Sequence, residues 1–300
     1  MRRFVLATAM VGMAFGAHAA DMPDLPVLRG SLPPGGLSTT VRNWDGWYVG
    51  GQVGYESANM DFSRSLVSLS NNIFRNSILQ EPTSQWSVLT KNGIQGTSFG
   101  AFVGRNWQWD DVVLGVEANY RYLNKVSSSS TNSISLAIPN PPGTPAPPNH
   151  TYSYNTTLAG TASVTIKDIT TFRGRAGWAA GNWMPYMFGG VAVGRMDVYR
   201  SISSNVVRRD DETQTIIDGF GNTVTVSLAP VFTTVPSLSL SASEQKVNAF
   251  VAGWTAGLGF EYCLWAGLFM RAEWEYTKFT PIKDTPIALN SAKLGVGYKF

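Results

Sequence analysis

Residues 112–124 read VVLGVEANYRYLN. In steps of two, Val112, Leu114, Val116, Ala118, Tyr120 and Tyr122 fall on one face, and Gly115, Glu117, Asn119 and Arg121 on the other. A β-strand turns successive side chains to opposite sides, so this segment separates two very different surroundings. A soluble sandwich or lipocalin-like barrel would turn the apolar face inward and leave the charges in water, where they need no small neighbours. Here charges alternate with Gly and Ala along the strands, as a narrow lumen crowded with side chains requires. The segment reads as a strand with lipid on its apolar side and a polar lumen on the other.

The same pattern recurs along the chain, in WYVGGQVGYES (47–57), QGTSFGAFVGRNWQ (95–108), VTIKDITTFRGRAGWAA (164–180) and PYMFGGVAVGRMDVY (185–199). It returns in KVNAFVAGWTAGLGF (246–260), WAGLFMRAEWEYTKF (265–279) and LNSAKLGVGYKF (289–300). With 112–124 these make eight candidate strands. Short connections at 109–111, 181–183 and 262–264 alternate with long irregular inserts at 58–94, 125–160 and 200–245, and a moderate loop covers 280–288. In a meander, odd connections lie at one end and even ones at the other. The expected fold is therefore all-β, an eight-stranded antiparallel up-and-down transmembrane β-barrel with long extracellular loops and short periplasmic turns. The insert 125–160 carries IPNPPGTPAPPN (138–149), so no strand is expected through its middle. Within the third insert, ETQTIIDGFGNTVTV (212–226) has turn signals for a hairpin of its own.

Composition agrees with this class. Charged residues are 14% of the 300, aromatics 12%, and there are 10 Trp and 30 Gly. That is little charge for a soluble domain, while mean hydropathy is near zero and no long stretch after residue 20 is apolar throughout. The N-terminus has Arg2 and Arg3, an apolar run FVLATAMVGMAFGA (4–17) and the small-x-small pattern Ala17-His18-Ala19. Residues 1–20 are expected to be a signal peptide, 21–43 a flexible periplasmic segment rich in Pro and Gly, and 44–300 the barrel. Without Arg2 and Arg3 the 23 basic residues become 21, against 20 acidic. Nucleic acid is not an expected partner, since no basic cluster forms a phosphate-binding footprint.

Catalytic and metal chemistry have little to draw on. His150 is the one histidine beyond the signal, and Cys263 is the one cysteine. No catalytic residue, metal site or cofactor is expected. HTYSY (150–154) offers groups that could approach a haem iron, and RRDDE (208–212) could meet lipopolysaccharide phosphates or their divalent ions. The lumen is assigned Glu56, Glu117, Glu261, Glu273 and Glu275 with Arg121, Arg173, Arg175, Arg195, Arg271 and Lys293. Such a set either pairs with itself in low dielectric or lines a narrow gated path. Trp47, Trp107, Trp178, Trp183, Trp265 and Trp274 are expected at strand ends, as an interfacial girdle.

Three stretches carry a family resemblance. NWDGWYVGGQVGY (43–55), WQWDDVVLGVEANYRY (107–122) and LGVGYKF (294–300) resemble the first strand, the second turn with the third strand, and the last strand of small outer-membrane β-barrels of alphaproteobacteria. That family includes the 25 and 31 kDa Brucella and rhizobial surface proteins. The resemblance implies a porin-family protein of a Gram-negative outer membrane. It also implies that Leu294, Val296, Tyr298 and Phe300 form the signal read by the barrel assembly machinery. Expected partners are outer-membrane lipid and lipopolysaccharide, that machinery, and peptidoglycan as an open candidate. The expected role is structural, supporting the envelope and displaying loops. A narrow porin-like channel and a surface binder of haemin or a host surface are the alternatives.

Overall fold

The computed structural model describes residues 42–300 apart from Ser84 and Lys125. The expected signal peptide and nearly all of segment 21–43 lie outside the described residues. The strands are β1 (Gly46–Asp61), β2 (Lys91–Trp109), β3 (Val112–Asn124), β4 (Ser127–Pro139), β5 (His150–Trp178), β6 (Trp183–Ile217), β7 (Thr223–Ser227), β8 (Val231–Thr234), β9 (Ser241–Trp265), β10 (Leu268–Ile282) and β11 (Thr285–Lys299). Two short helices, α1 (Val67–Ile73) and α2 (Gln80–Thr83), lie between β1 and β2.

Eight strands form the closed wall in the order β1-β2-β3-β5-β6-β9-β10-β11, all pairs antiparallel. The seam joins β11 to β1 in register from Tyr48↔Lys299 to Met60↔Ile287. Closure has a simple cause: lipid offers no hydrogen bonds, so an open sheet edge would leave backbone N–H and C=O groups unpaired. The chain turns tightly at one end, where Asp110 (φ 52°), Gly181 (φ 62°) and the pair Ala266–Gly267 (φ 40° and 87°) take left-handed conformations. Outward side chains along the seam and the walls are large and apolar, among them Val49, Val53, Phe99, Val116, Leu258, Trp274 and Leu294. This is the surface a bilayer would wet.

The strands run much further than their alternation indicates. β5 begins at His150 rather than 164, and β6 continues to Ile217 rather than 199. β4 takes up the wall where β3 stops and pairs with β5 from Ser127↔Thr165 to Pro139↔Ser153. The insert 125–160 is thus two long strand segments joined by 140–149, and the proline run confines irregularity to that tip. Above the lipid the outer face is in water, so hydroxyls replace hydrocarbon there: Ser127–Thr165 (2.7 Å), Thr131–Thr161 (3.1 Å) and Ser135–Thr157 (2.7 Å) pair across the strands. The hairpin expected in 212–226 forms between β6 and β7, with Ile217↔Thr223 next to its turn. The moderate loop 280–288 is instead a two-residue turn, Lys283–Asp284, both with positive φ (49° and 59°). Pro281 is accommodated in the register shift between Phe279 and Ile282.

Two apolar clusters occupy the interior. One fills the long-connection end, where Phe62, Leu66, Leu69, Phe74, Leu79 and Leu89 of the β1–β2 connection pack on Leu158, Ile166, Met196, Ile202, Phe279 and Leu289 of the wall. The other lies at the short-turn end and joins Trp44, Val113, Ala179, Met184, Cys263 and Phe269 to Tyr48, Phe102, Tyr186 and Phe188.

Candidate functional site

The space between the two apolar clusters holds the charged lumen. Inward positions on β3 supply Glu117, Asn119 and Arg121, β5 supplies Arg173 and Arg175, and β10 supplies Arg271, Glu273 and Glu275. β1 adds Glu56, β9 adds Glu261, and β11 adds Lys293, all buried. Alternation alone places them, because each lies an even number of residues from the next inward group on its strand.

Glu117 is the hub. Arg173 Nη2 donates to it at 2.6 Å, Arg271 Nη1 at 2.9 Å and Arg175 Nη1 at 3.4 Å. Tyr48 Oη also donates to it at 2.9 Å. Arg173 reaches further, to Glu273 at 2.5 Å and Glu275 at 3.1 Å. Lys293 bridges the same two carboxylates at 2.8 and 2.6 Å. One layer higher, Arg121 joins Glu275 (2.5 Å) to Glu56 (3.2 Å), and Ser98 and Ser291 donate to Glu56. One layer lower, Arg175 lies 2.8 Å from Glu261. Glu261 Oε1 and Arg175 Nη2 are in ionic contact without hydrogen-bond alignment.

Aromatic faces complete the packing. The guanidinium carbons of Arg173, Arg175 and Arg271 lie 4.0, 4.0 and 3.3 Å from the ring centres of Phe188, Tyr186 and Phe102. A guanidinium stacked on a ring keeps its in-plane donors free for carboxylates. Five carboxylates and five cations thus face one another in the lumen, with no net charge. Besides Ser98, Ser291 and Thr277, the partners that residue charge did not reveal include Tyr48, Gln52, Asn119 and Tyr186. Gln52 joins Arg271 (2.7 Å) to Asn119 (2.7 Å), and Tyr186 donates to Glu273 at 2.6 Å. Their parity with neighbouring inward charges was the available signal.

Arg195 is a correction. It shares the outward face of Val191 and Val193 and pairs with Asp168 beside a register shift, outside the lumen network. Trp274 is a second correction, since it lies mid-strand on the lipid face rather than at a strand end. Trp47, Trp107, Trp178, Trp183 and Trp265 are exposed near the short turns, with Trp109 beside them. Leu294, Val296 and Tyr298 point outward on β11, and the Phe300 N–H donates to Trp47 O at 2.9 Å. The loop groups offered for haem are engaged elsewhere: His150 Nδ1 is 2.8 Å from Asp210, Tyr152 carries Arg208 over its ring at 4.5 Å, and Tyr154 is buried. Among the described residues no group of three or more His, Cys, Asp or Glu side chains could hold a metal ion.

A closed antiparallel barrel with an apolar outside and an ionic inside defines an outer-membrane β-barrel. Consistent with this, residues 7–300 match the outer membrane protein beta-barrel domain family, to which the chain belongs. It is 24% identical over 311 aligned positions to the 31 kDa outer-membrane immunogenic protein of Brucella melitensis biotype 1, with both chains covered in full. The Brucella suis biovar 1 protein of the same name gives the same identity and coverage. The protein is thus placed in the outer membrane of a Gram-negative bacterium. Among solved structures, Neisserial surface protein A aligns with a TM-score of 0.31 and 12% identity, over 85% of this chain and 97% of that one. Ail of Yersinia pestis, in complex with sucrose octasulfate, aligns with a TM-score of 0.30 and 11% identity, over 85% and 99%.

Proposed function

We propose that the protein is a structural, non-conducting barrel that supports the outer membrane and holds a rigid lobe above it. The observation that carries this reading is the lumen. Its charges balance and pair across the bore, and an apolar cluster closes each end. A permeating ion would have to displace charge-assisted hydrogen bonds in low dielectric, and breaking such a pair strands a buried charge. A channel instead needs groups that bind weakly enough to release. No catalytic role is proposed, because the one described histidine is held by Asp210. The proposed partners are lipid and lipopolysaccharide around the wall, and the assembly machinery at Leu294, Val296, Tyr298 and Phe300. Peptidoglycan is a candidate partner for residues 21–43.

The test is single-channel recording in a planar bilayer with protein shown to be folded by heat-shifted gel mobility. Silence at physiological salt is the expected result. Steady openings that change when Glu273 or Arg173 is neutralised would make the lumen a path and overturn the reading.

A second reading has its own observation. At the tip of the β6–β7 hairpin, Ile217 is 75% exposed and Phe220 92% exposed. Apolar tips of this kind mark contact surfaces, so the lobe would display a contact for a host surface. Removing 213–228 would abolish adhesion to host cells without altering barrel folding.

A further inference from the structure

Arg105 is a cation on the lipid side of the wall. On β2 it shares the outward face of Phe99, Val103 and Trp107, four residues from the strand end at Trp109. It therefore stands at the short-turn rim, among the exposed tryptophans. Its guanidinium carbon is 5.6 Å from the ring centre of Trp47 on β1 and 5.5 Å from that of Trp107. Among the described residues Nε is buried without a hydrogen-bond partner, and no described carboxylate pairs with the side chain. Arg195 also faces outward, but it is neutralised by Asp168.

A groove passes this guanidinium and crosses the outer wall from β1 to β5. Its volume is about 420 Å³, and Trp47, Val103, Val116, Ala118, Phe172 and Gly174 line it beside Arg105. Gly174 forms part of its floor, and a methyl group added there would meet no atom within 4 Å. Its outward side chains are apolar apart from Arg105, which stands near the β1 side of the groove at the rim.

We propose that this is a binding site for one glycerophospholipid of the inner leaflet. Its phosphate sits on Arg105 between Trp47 and Trp107, and one acyl chain lies in the groove. The argument is charge complementarity. A guanidinium at a membrane interface directs its head toward the nearest anion or water, and bidentate phosphate geometry suits it better than a point charge. The two indoles hold its guanidinium at the rim, at the height of the headgroup layer. Short turns are the periplasmic end of such barrels, so the phosphate supplied at this height is that of a phospholipid rather than of lipopolysaccharide.

The experiment is native mass spectrometry of the folded protein. Detergent micelles would be doped with phosphatidylglycerol, with phosphatidylethanolamine, or with a diacylglycerol that has the same chains and no phosphate. One phospholipid per barrel should survive release from the micelle, and diacylglycerol should not. Arg105→Gln should lower the retained fraction roughly tenfold, and Arg105→Lys should restore part of it. Gly174→Leu fills the groove, leaves the cation in place, and should also lower retention. Retention of phosphatidylglycerol alone would narrow the ligand to an anionic headgroup at the same place. Equal retention of diacylglycerol, or Arg105→Gln retention within twofold of wild type, would overturn the proposal. Should Arg105→Gln fail to fold, Gly174→Leu decides, and unchanged retention there would also overturn it.

Discussion

Glu117 on β3 accepts a hydrogen bond from Arg271 on β10 at 2.9 Å, although the two strands lie four places apart around an eight-strand ring in either direction. The contact is a tie across the whole bore. Arg173 and Arg175 reach the same carboxylate from β5 and Tyr48 reaches it from β1, so one side chain holds four strands to a common point.

Removing that point takes one carboxylate from three guanidiniums and leaves the lumen with one positive charge in excess. Glu117→Ala is expected to destabilise the barrel by about 3–5 kcal/mol, the range for breaking a buried ion network by deleting one member. Urea titration of the lipid-reconstituted protein, followed by tryptophan fluorescence, measures it. A loss below about 1 kcal/mol would mean that water already screens the network, as for an exposed pair.

Close approach of the strands sets a second limit. A methyl group on Gly100 would lie 2.0 Å from the carbonyl oxygen of Tyr120 on the neighbouring strand, and backbone cannot swing aside as a side chain can. Gly100→Ala should cost about 1–3 kcal/mol, as overpacking does, and it should lower the yield of heat-shifted folded protein. Gly174→Ala, where the space is open, is the matched control and should fold like wild type.

The lobe should respond to acid. Lys283 in the last turn and Arg200 on β6 hydrogen-bond the Glu244 carboxylate and hold its pKa below the ordinary range. A carboxylate with a depressed folded pKa stabilises fully above its unfolded pKa of about 4.3, and that stability is lost as pH falls through the folded value. Hydrogen exchange near 241–246 and 282–286, corrected for intrinsic rates, should show more protection in wild type than in Glu244→Gln at neutral pH. The two should converge in acid. Identical protection at neutral pH would remove the clamp from the account.

The terminal aromatic can be tested apart from its backbone. Phe300 N–H bonds to Trp47 O whatever the side chain, while the residue as a whole is 70% exposed. Phe300→Asp should leave that bond available and still cause unfolded chain to accumulate in the periplasm, if the side chain is what the assembly machinery reads. Normal insertion of this variant would sink the assembly-signal role.

The wall within the lipid was legible because two solvents imprint opposite chemistries on alternate residues, as at Glu117 and Arg121 between Val116, Ala118, Tyr120 and Tyr122. Above the lipid that contrast fades. Thr157, Thr161 and Thr165 lie on the outer face in water, so β5 gave no sign of reaching His150. Arg195 has the charge of a lumen residue but the parity of the outward face, and parity decides. Beyond the lipid an outward charge costs little, and Asp168 is its partner. The plug of Phe62, Leu66, Phe74 and Leu79 showed no period because its partners are on the wall rather than on one face of a long helix. The lumen charges could be enumerated from sequence, but only the ring order of the strands reveals which of them meet.

The ladder between β5 and β6 runs without a change of partner from Gly177↔Tyr186 near the short turns to His150↔Glu212, with one register shift at Ile166/Asp168. A load applied at the Phe220 tip along the strand axis would therefore pull many hydrogen bonds in parallel, in shear, instead of opening them one after another. Mechanically the lobe is a mast stepped into the hull of the barrel rather than a rope tied to its rim, and a cell held by that tip would transmit the strain directly to its outer membrane.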